Sequence, residues 1–157
     1  MQISVRQYRK QDKDAILAIT ERSFDGVCIA QNTEREFGMV GNADWRERKK
    51  RGIEHDLDYR PSDSFVALAG DSVVGYVCTR LYRQQQIGHV ANMAVKVEYQ
   101  GRGVGESLLK AAINHFRDNG MQHARIETLE QNKRAANFYS SWGFREVGRQ
   151  IHYFKEL

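Results

Sequence analysis

The fold turns on the stretch Val90–Phe116, and within it on Gln100-Gly101-Arg102-Gly103-Val104-Gly105. An apolar run, Val90 to Val97, reads as a strand that leads into this glycine loop. The loop opens at once into a helical pattern: Val104, Leu108, Leu109, Ala112, Ile113 and Phe116 recur on one face. Asn119-Gly120 supplies the stop signal. Strand, glycine loop and helix start, in that order, form a favourable anion site. Glycine lets the backbone approach a ligand and take positive φ, and the unpaired N–H groups of a helix start attract negative charge. Two nucleotide fingerprints do not fit. A dinucleotide loop needs G-x-G-x-x-G, whereas here the third glycine comes one residue early and Glu106 stands in its place. A P-loop needs Gly-Lys followed by Ser or Thr, and the sequence has none. On these residues alone, a phosphate cradle and a plain tight turn both remain open.

With its surroundings, the loop resembles the acyl-CoA-binding motif of the GNAT superfamily of N-acetyltransferases, Q/R-x-x-G-x-G/A, preceded by a strand ending Met93-Ala94-Val95. A second stretch, Asn132-Lys133-Arg134-Ala135-Ala136-Asn137-Phe138-Tyr139-Ser140-Ser141-Trp142-Gly143-Phe144, resembles that family's N-x-x-A-x-x-F/L-Y-x-x-x-G-F. Asn132, Ala135, Tyr139, Gly143 and Phe144 match position by position. From the residues themselves, Asn132 suits an N-cap, and Phe138 and Trp142 share a face expected to be buried; on spacing alone Tyr139 reads as an amphipathic boundary residue. The resemblance covers about Ile87 to Phe144. The N-terminal half shares only a strand-helix layout.

Composition sets wider bounds. At 157 residues the chain is expected to be a single domain, 1–157, with room for a real core. Hydrophobic residues make up 41% and charged residues 28%, ordinary for a globular protein. No apolar run approaches the ~20 residues of a membrane span, and Met1–Arg6 has no secretory h-region. Cys28 and Cys78 make no disulfide framework, so reduced thiols and a cytoplasmic location are expected. No metal motif occurs and no metal is expected. A net charge of +4 suits a polyanionic co-substrate and is weak support for nucleic acid, which is not expected as a partner.

Outside the central stretch, Ile3–Arg6 alternates like a short strand and Gln11–Ser23 reads as a helix burying Ala15, Ile16, Ala18, Ile19 and Phe24. Residues 25–60 are the least regular. Trp45–Leu57 reads as a helix with Trp45, Ile53 and Leu57 inward, and its run Arg46-Glu47-Arg48-Lys49-Lys50-Arg51 reads as a solvated face. Ser64–Ala69, Ser72–Leu81 and Ile87–Val95 read as a meander, with a turn at Gly70-Asp71. Ala124–Leu129 reads as a further strand, Lys133–Trp142 as a helix closed by Gly143, and Phe144–Phe154 as a terminal strand region. The resemblance implies a mixed, mostly antiparallel α/β sheet of about 6–7 strands flanked by about 4 helices, with a splayed strand and the glycine loop before the central helix. It makes residues 87–144 an acetyl-CoA-binding core and residues 25–60 a variable acceptor-side segment.

The chemistry that the resemblance implies is direct transfer of an acetyl group from acetyl-CoA to a primary amine, through a tetrahedral intermediate. The acceptor is a small-molecule or peptide amine that the sequence does not identify. Met93, Ala94, Val95, Gln100, Gly101, Arg102, Gly103, Val104, Gly105, Glu106, Asn132 and Tyr139 form the implied co-substrate set, with Tyr139 as acid for the leaving thiolate. The amine must be neutral to attack; a lysine amine (pKa ~10.4) is neutral about once in 10³ at pH 7, an α-amine (pKa ~8) far more often. A general base is therefore useful, directly or through a water. Two candidates arise. Glu127 lies five residues before Asn132, matching a glutamate in the branch that acetylates ribosomal-protein N-termini. His89 lies six residues before Val95, matching a base position in the histone and arylalkylamine branches. The N-terminal-acetylation branch also carries R-x-x-Y-Y; Arg149-Gln150-Ile151-His152-Tyr153 keeps the arginine and one tyrosine, so a protein substrate is not assigned. A non-catalytic acyl-CoA-binding sensor is the alternative; it needs neither Tyr139 nor a base. Family members are often homodimers, an assembly that pairing of terminal strands between chains would permit.

Overall fold

Four segments with strand-type patterns pair in chain order as an antiparallel meander: β1 (Ile3–Gln7), β2 (Ser64–Ala69), β3 (Ser72–Tyr82) and β4 (Ile87–Val95). A short β5 (His123–Arg125) joins β4 in parallel and completes a mixed, mostly antiparallel five-stranded sheet. Among the described residues five α-helices accompany it: α1 (Lys13–Ser23), α2 (Ile29–Phe37), α3 (Trp45–Tyr59), α4 (Val104–Asp118) and α5 (Lys133–Ser141). The computed structural model describes residues 2–157.

β3 is buried on both faces, which is why it reads as a continuous apolar run. Its side chains divide two cores. Tyr76 and Cys78 pack with Ile16 and Ile19 of α1 and Ile53 and Leu57 of α3. Val74 and Val77 pack with Leu108, Leu109, Ala112 and Phe116 of α4 on the other face. Polar pins fix the outer elements. Arg6 holds buried Asp12 through two hydrogen bonds of 2.7 and 2.8 Å, tying β1 to the approach of α1. The Thr20 hydroxyl meets the Tyr76 hydroxyl at 2.8 Å inside the first core.

The pattern-based bounds of β2 and β4 coincide with the observed ones. Four expectations need correction. Residues 29–37 form a helix that the polar composition of 25–60 concealed; no residue of it is buried, so its apolar stripe is thin. The charge run of α3 is not a freely solvated face: Arg46 pairs with Asp25, Arg48 with Glu34 and Lys50 with Glu21, while Lys49 turns inward. Trp142 is exposed rather than buried beside Phe138. The strand expected over 124–129 is three residues long, and the one expected over 144–154 is absent among the described residues, leaving five strands rather than six or seven. A strand persists only where a neighbour takes its backbone groups, and neither segment has one along its length.

One close approach is steric. A Cβ built on Gly88 of β4 falls 2.2 Å from Cγ of Phe116, so only glycine lets the α4 ring lie on the strand. Gly88→Ala is expected to cost about 1–3 kcal/mol through overpacking. Denaturant titration should show that loss, and Phe116→Leu in the same chain should return part of it; an unchanged midpoint for Gly88→Ala would mean the ring is not confined.

Candidate functional site

The site begins with an irregularity in β4. Thr79 pairs with Val90 and Cys78 with Asn92, so Ala91 has no partner of its own and forms a bulge. β4 and β5 pair only through Ile87–His123, Gly88–Ala124 and His89–Arg125. Beyond His89 they separate, and from Val90 to Val95 the outer edge of β4 has no strand partner among the described residues. The bulge also resets which side chains face which core. Val90, Met93 and Val95 pack toward α4, whereas Ala94 packs toward α1 and Asn92 reaches α3.

The glycine loop lies just past this open edge. Gly101 and Gly103 have φ of 73° and 79°, a region that only glycine enters easily, and Gly103 is the N-cap of α4. No side chain caps the helix, and its first backbone bond, Ser107 N–H to the Gly103 carbonyl, is 3.0 Å. The N–H groups of Val104, Gly105 and Glu106 are thus first-turn donors without an intrahelical acceptor. A Cβ at Gly101 or Gly103 would meet nothing within 4 Å, so the space beside both is open. Gly105 differs: its Cβ would sit 3.6 Å from the Phe138 ring, so it seats α5 against α4. Gln100 donates to the Val95 carbonyl at 3.1 Å and accepts from Arg134 of α5, clamping strand end, loop and helix together. Arg102 lies over the Tyr99 ring, and Glu106 is exposed in the first turn of α4.

α5 starts as its sequence suggests. Asn132 caps it, its Oδ1 accepting from the Ala135 N–H at 3.1 Å. Tyr139 packs between Phe138 and Phe144, with ring centroids at 5.4 and 5.9 Å, on the α4 side of the sheet. Burial pushes its phenol up to about 12, so the group is protonated throughout the neutral range.

The two base candidates meet each other. His89 is only 5% exposed, and its Nε2 lies 2.9 Å from Oε1 of Glu127, where the β4–β5 gap opens. Burial lowers the imidazole pKa from 6.5; Glu127 opposes the shift, while Arg125 and Arg80 add to it. The ring is therefore neutral at pH 7, and with Nε2–H donated to Glu127 its Nδ1 is a lone-pair acceptor. That Nδ1 is buried without a hydrogen-bond partner among the described residues.

Beside this pair runs a buried polar chain. Lys49 Nζ donates to Asn92 Oδ1 at 2.6 Å and lies 4.2 Å from the centre of the Phe24 ring. The Asn92 amide approaches Asp56 at 3.4 Å, and Arg80 grips Asp56 through two bonds of 3.0 Å. Burial lowers the Lys49 pKa. Lys49, Asp56 and Arg134 carry no role in the sequence reading. Lys49 had a signal: it falls midway between Trp45 and Ile53 at i+4 spacing, on the apolar stripe rather than among its charged neighbours. Arg134 had none beyond its place inside the Asn132 motif.

Comparison with known proteins agrees with this geometry. The family described as acetyltransferase (GNAT) matches residues 25–144. N-alpha-acetyltransferase 30 of Schizosaccharomyces pombe is 32% identical over 97 residues, 60% of this chain and 65% of that protein. Mycothiol acetyltransferase of Streptomyces scabiei is 28% identical over 148 residues, 88% of this chain and 46% of that protein. The chain thus spans about half to two thirds of the length of these two relatives. The crystal structure of the PaiA N-acetyltransferase of Thermoplasma acidophilum in complex with coenzyme A superposes with a TM-score of 0.77 at 18% identity, covering 96% of this chain and 94% of that one, a likeness of fold. With the bulged strand, the glycine loop and the capped α5 in place and most of its length matched, the chain belongs to the acetyltransferase (GNAT) family.

Proposed function

We propose that the protein is an N-acetyltransferase that takes an acetyl group from acetyl-CoA and passes it to a primary amine on a small molecule or a peptide, within one GNAT unit spanning 1–157. The observation that carries this reading is the separation of β4 from β5. It leaves an open strand edge with Tyr139 and the glycine loop on one side and the His89–Glu127 pair on the other. A donor entering from the α4 side and an acceptor from the α1/α3 side would meet in that gap.

The residues fit acetyl-CoA in three respects. The uncapped N-terminus of α4 and the open space at Gly101 and Gly103 suit a pyrophosphate. The free edge of β4 around Met93, Ala94 and Val95 suits an amide-bearing extended chain and offers N–H groups to the thioester oxygen as it gains charge. Bound acetyl-CoA supplies the activated acetyl group. Arg134 and Gln100 hold the loop in shape from α5.

Proton handling falls to two groups. The His89–Glu127 pair takes the proton of the incoming amine through the exposed Glu127 carboxylate, directly or by way of a water, with the buried His89 ring behind it as the relay. The protonated Tyr139 phenol gives its proton to the departing thiolate, whose own thiol pKa is ~8.5. Residues 25–60 supply the acceptor side: Lys49 and Asp56 hold Asn92 at the bulge, and Lys49 lies over the ring of Phe24 just before that segment. Read across to this chain, the name of the N-alpha-acetyltransferase relative suggests an α-amine acceptor, an amine class that loses less to protonation at pH 7 than a lysine amine does.

Isothermal titration tests the donor. Acetyl-CoA should bind, and Gly103→Val should weaken binding at least tenfold, because valine is strained at φ 79° and fills the open space. Undetectable binding to the native chain would end both the enzyme and the sensor readings. Steady-state kinetics against a panel of amines test the chemistry. Tyr139→Phe should lower kcat by about 10–10³-fold with little change in acetyl-CoA affinity. For native protein, log(kcat/KM) should rise with pH through the amine's own pKa, with a second limb below 6.5 set by His89. His89→Gln should remove that second limb and slow turnover by about 10²-fold or more. The sign also applies to stability: because folding lowers the His89 pKa, its contribution is complete above 6.5 and is lost as pH falls below it. Unchanged rates in both variants would remove Tyr139 and His89 from the mechanism, whereas acetyl-CoA binding with no turnover of any amine would leave the sensor reading.

A further inference from the structure

Granted the N-acetyltransferase reading of the β4–β5 gap, on which this rests, we propose that the Lys49 ammonium binds a carboxylate of the acceptor. The substrate is then an amine with a free carboxylate a few bonds from its nitrogen.

Lys49 is the odd member of the charged run on α3. Arg46 pairs with Asp25, Arg48 with Glu34, Lys50 with Glu21 and Arg51 with Glu47. Lys49, half-buried, has no carboxylate partner among the described residues. Its Nζ makes one hydrogen bond, to Asn92 Oδ1 at 2.6 Å, and an ammonium carries three N–H donors, so the others stay open. The Phe24 ring, its centre 4.2 Å away, offers a π face and no net negative charge.

The aspartate beside this cluster is already taken. Arg80 holds Asp56 through two bonds of 3.0 Å, and Arg60 lies 3.6 Å from the same carboxylate. Asn92 stands between, with its Oδ1 toward Lys49 and its amide 3.4 Å from Asp56. One negative charge thus serves two arginines and leaves none for Lys49. Burial lowers the Lys49 pKa in spite of Asp56, as expected of a cation taken from water without a counter-charge. An arriving anion supplies that charge. A carboxylate fits better than a phosphate, because no second cation of the run is unpaired to share a double charge.

The place is right for an acceptor. Asn92 follows the Ala91 bulge and adjoins Met93 on the free edge of β4, where one residue advances the strand by ~3.3 Å. A group held at Lys49 therefore keeps its amine near the thioester only if the two are a few bonds apart. Arg80 lies opposite His89 in the β3–β4 register, so the polar chain from Lys49 runs on to the His89–Glu127 pair. One end of the acceptor meets the cation and the other the proton-handling pair.

Matched acceptors test this. L-Amino acids are compared with their carboxamides, which reads an α-carboxylate. Short peptide amides beginning with Asp or Glu are compared with those beginning with Asn or Gln, which reads a side-chain carboxylate. In native protein the carboxylate member of one pair type should show kcat/KM about tenfold or more above its neutral counterpart. Amine chemistry alone gives the opposite order, because a nearby carboxylate makes the amine more basic and less often neutral. Lys49→Met should bring the ratio close to one, and Lys49→Arg should keep most of it. Each ratio is taken within one protein, so a general loss of stability does not move it. Preference for the neutral member in both pair types, or a ratio that survives Lys49→Met, would overturn the proposal. Calorimetric titration of the same compounds into protein saturated with CoA separates this from the transferase reading. If no amine is turned over, that reading fails, while tighter binding of the carboxylate members that Lys49→Met abolishes upholds the anion site. Equal or undetectable affinity for both members of every pair overturns it.

Discussion

The bulge at Ala91 is the constraint on which the site depends. A regular β4 would continue its ladder with β5, bury its outer edge and close the gap in which we propose that donor and acceptor meet. The extra residue turns Asn92 toward α3, where Asp56 and Lys49 hold it, and Arg80 on β3 grips the same aspartate. Removing one partner of a buried ion pair costs on the order of 3–5 kcal/mol, because the other charge is left without compensation. The irregular strand is thus held by charge from α3 below and by the Gln100 clamp above, which takes the Val95 carbonyl where the strand ends. Backbone that has lost its neighbour is kept in place by side chains.

The same bulge separates two electrical environments. On the α4 side lie helix-start N–H groups, open glycine positions and a phenol kept protonated by burial, a setting suited to a phosphate-bearing donor and a leaving group in need of a proton. On the α1/α3 side lie a neutral imidazole, an orienting carboxylate and a buried amine whose charge is disfavoured, a setting suited to an amine that must shed its proton. Desolvation outweighs the attraction of Glu127 at His89 because the ring is buried whereas the carboxylate is largely in water. The result is a base that is free at neutral pH, rather than an ion pair already protonated.

How much of this was legible in the sequence depends on whether a signal was local. The strand bounds 64–69 and 87–95, the helix beginning at Val104 and the Asn132 cap follow from period, glycine placement and capping chemistry within a few residues. Tyr139 and the glycine loop stood out through their motifs. His89 and Glu127 were each legible as candidates, but as rivals; the parallel register that sets His89 beside Arg125, and so within reach of Glu127, joins segments far apart in the chain. The Ala91 bulge left no trace in composition. α2 was hidden because its apolar residues are few and none is buried. The terminal strand was over-read for the opposite reason: its alternation is genuine, but alternation states a capacity to pair and says nothing about where the partner is.

Hydrogen–deuterium exchange with and without acetyl-CoA tests the central claim, that the free β4 edge and the loop beyond it form the donor slot. Amides of residues 93–106 should slow on adding acetyl-CoA, with smaller changes around Asn132–Tyr139, while β1 and β2 stay as they were. Protection confined to other elements, or no protection in 93–106 at saturating acetyl-CoA, would contradict the account.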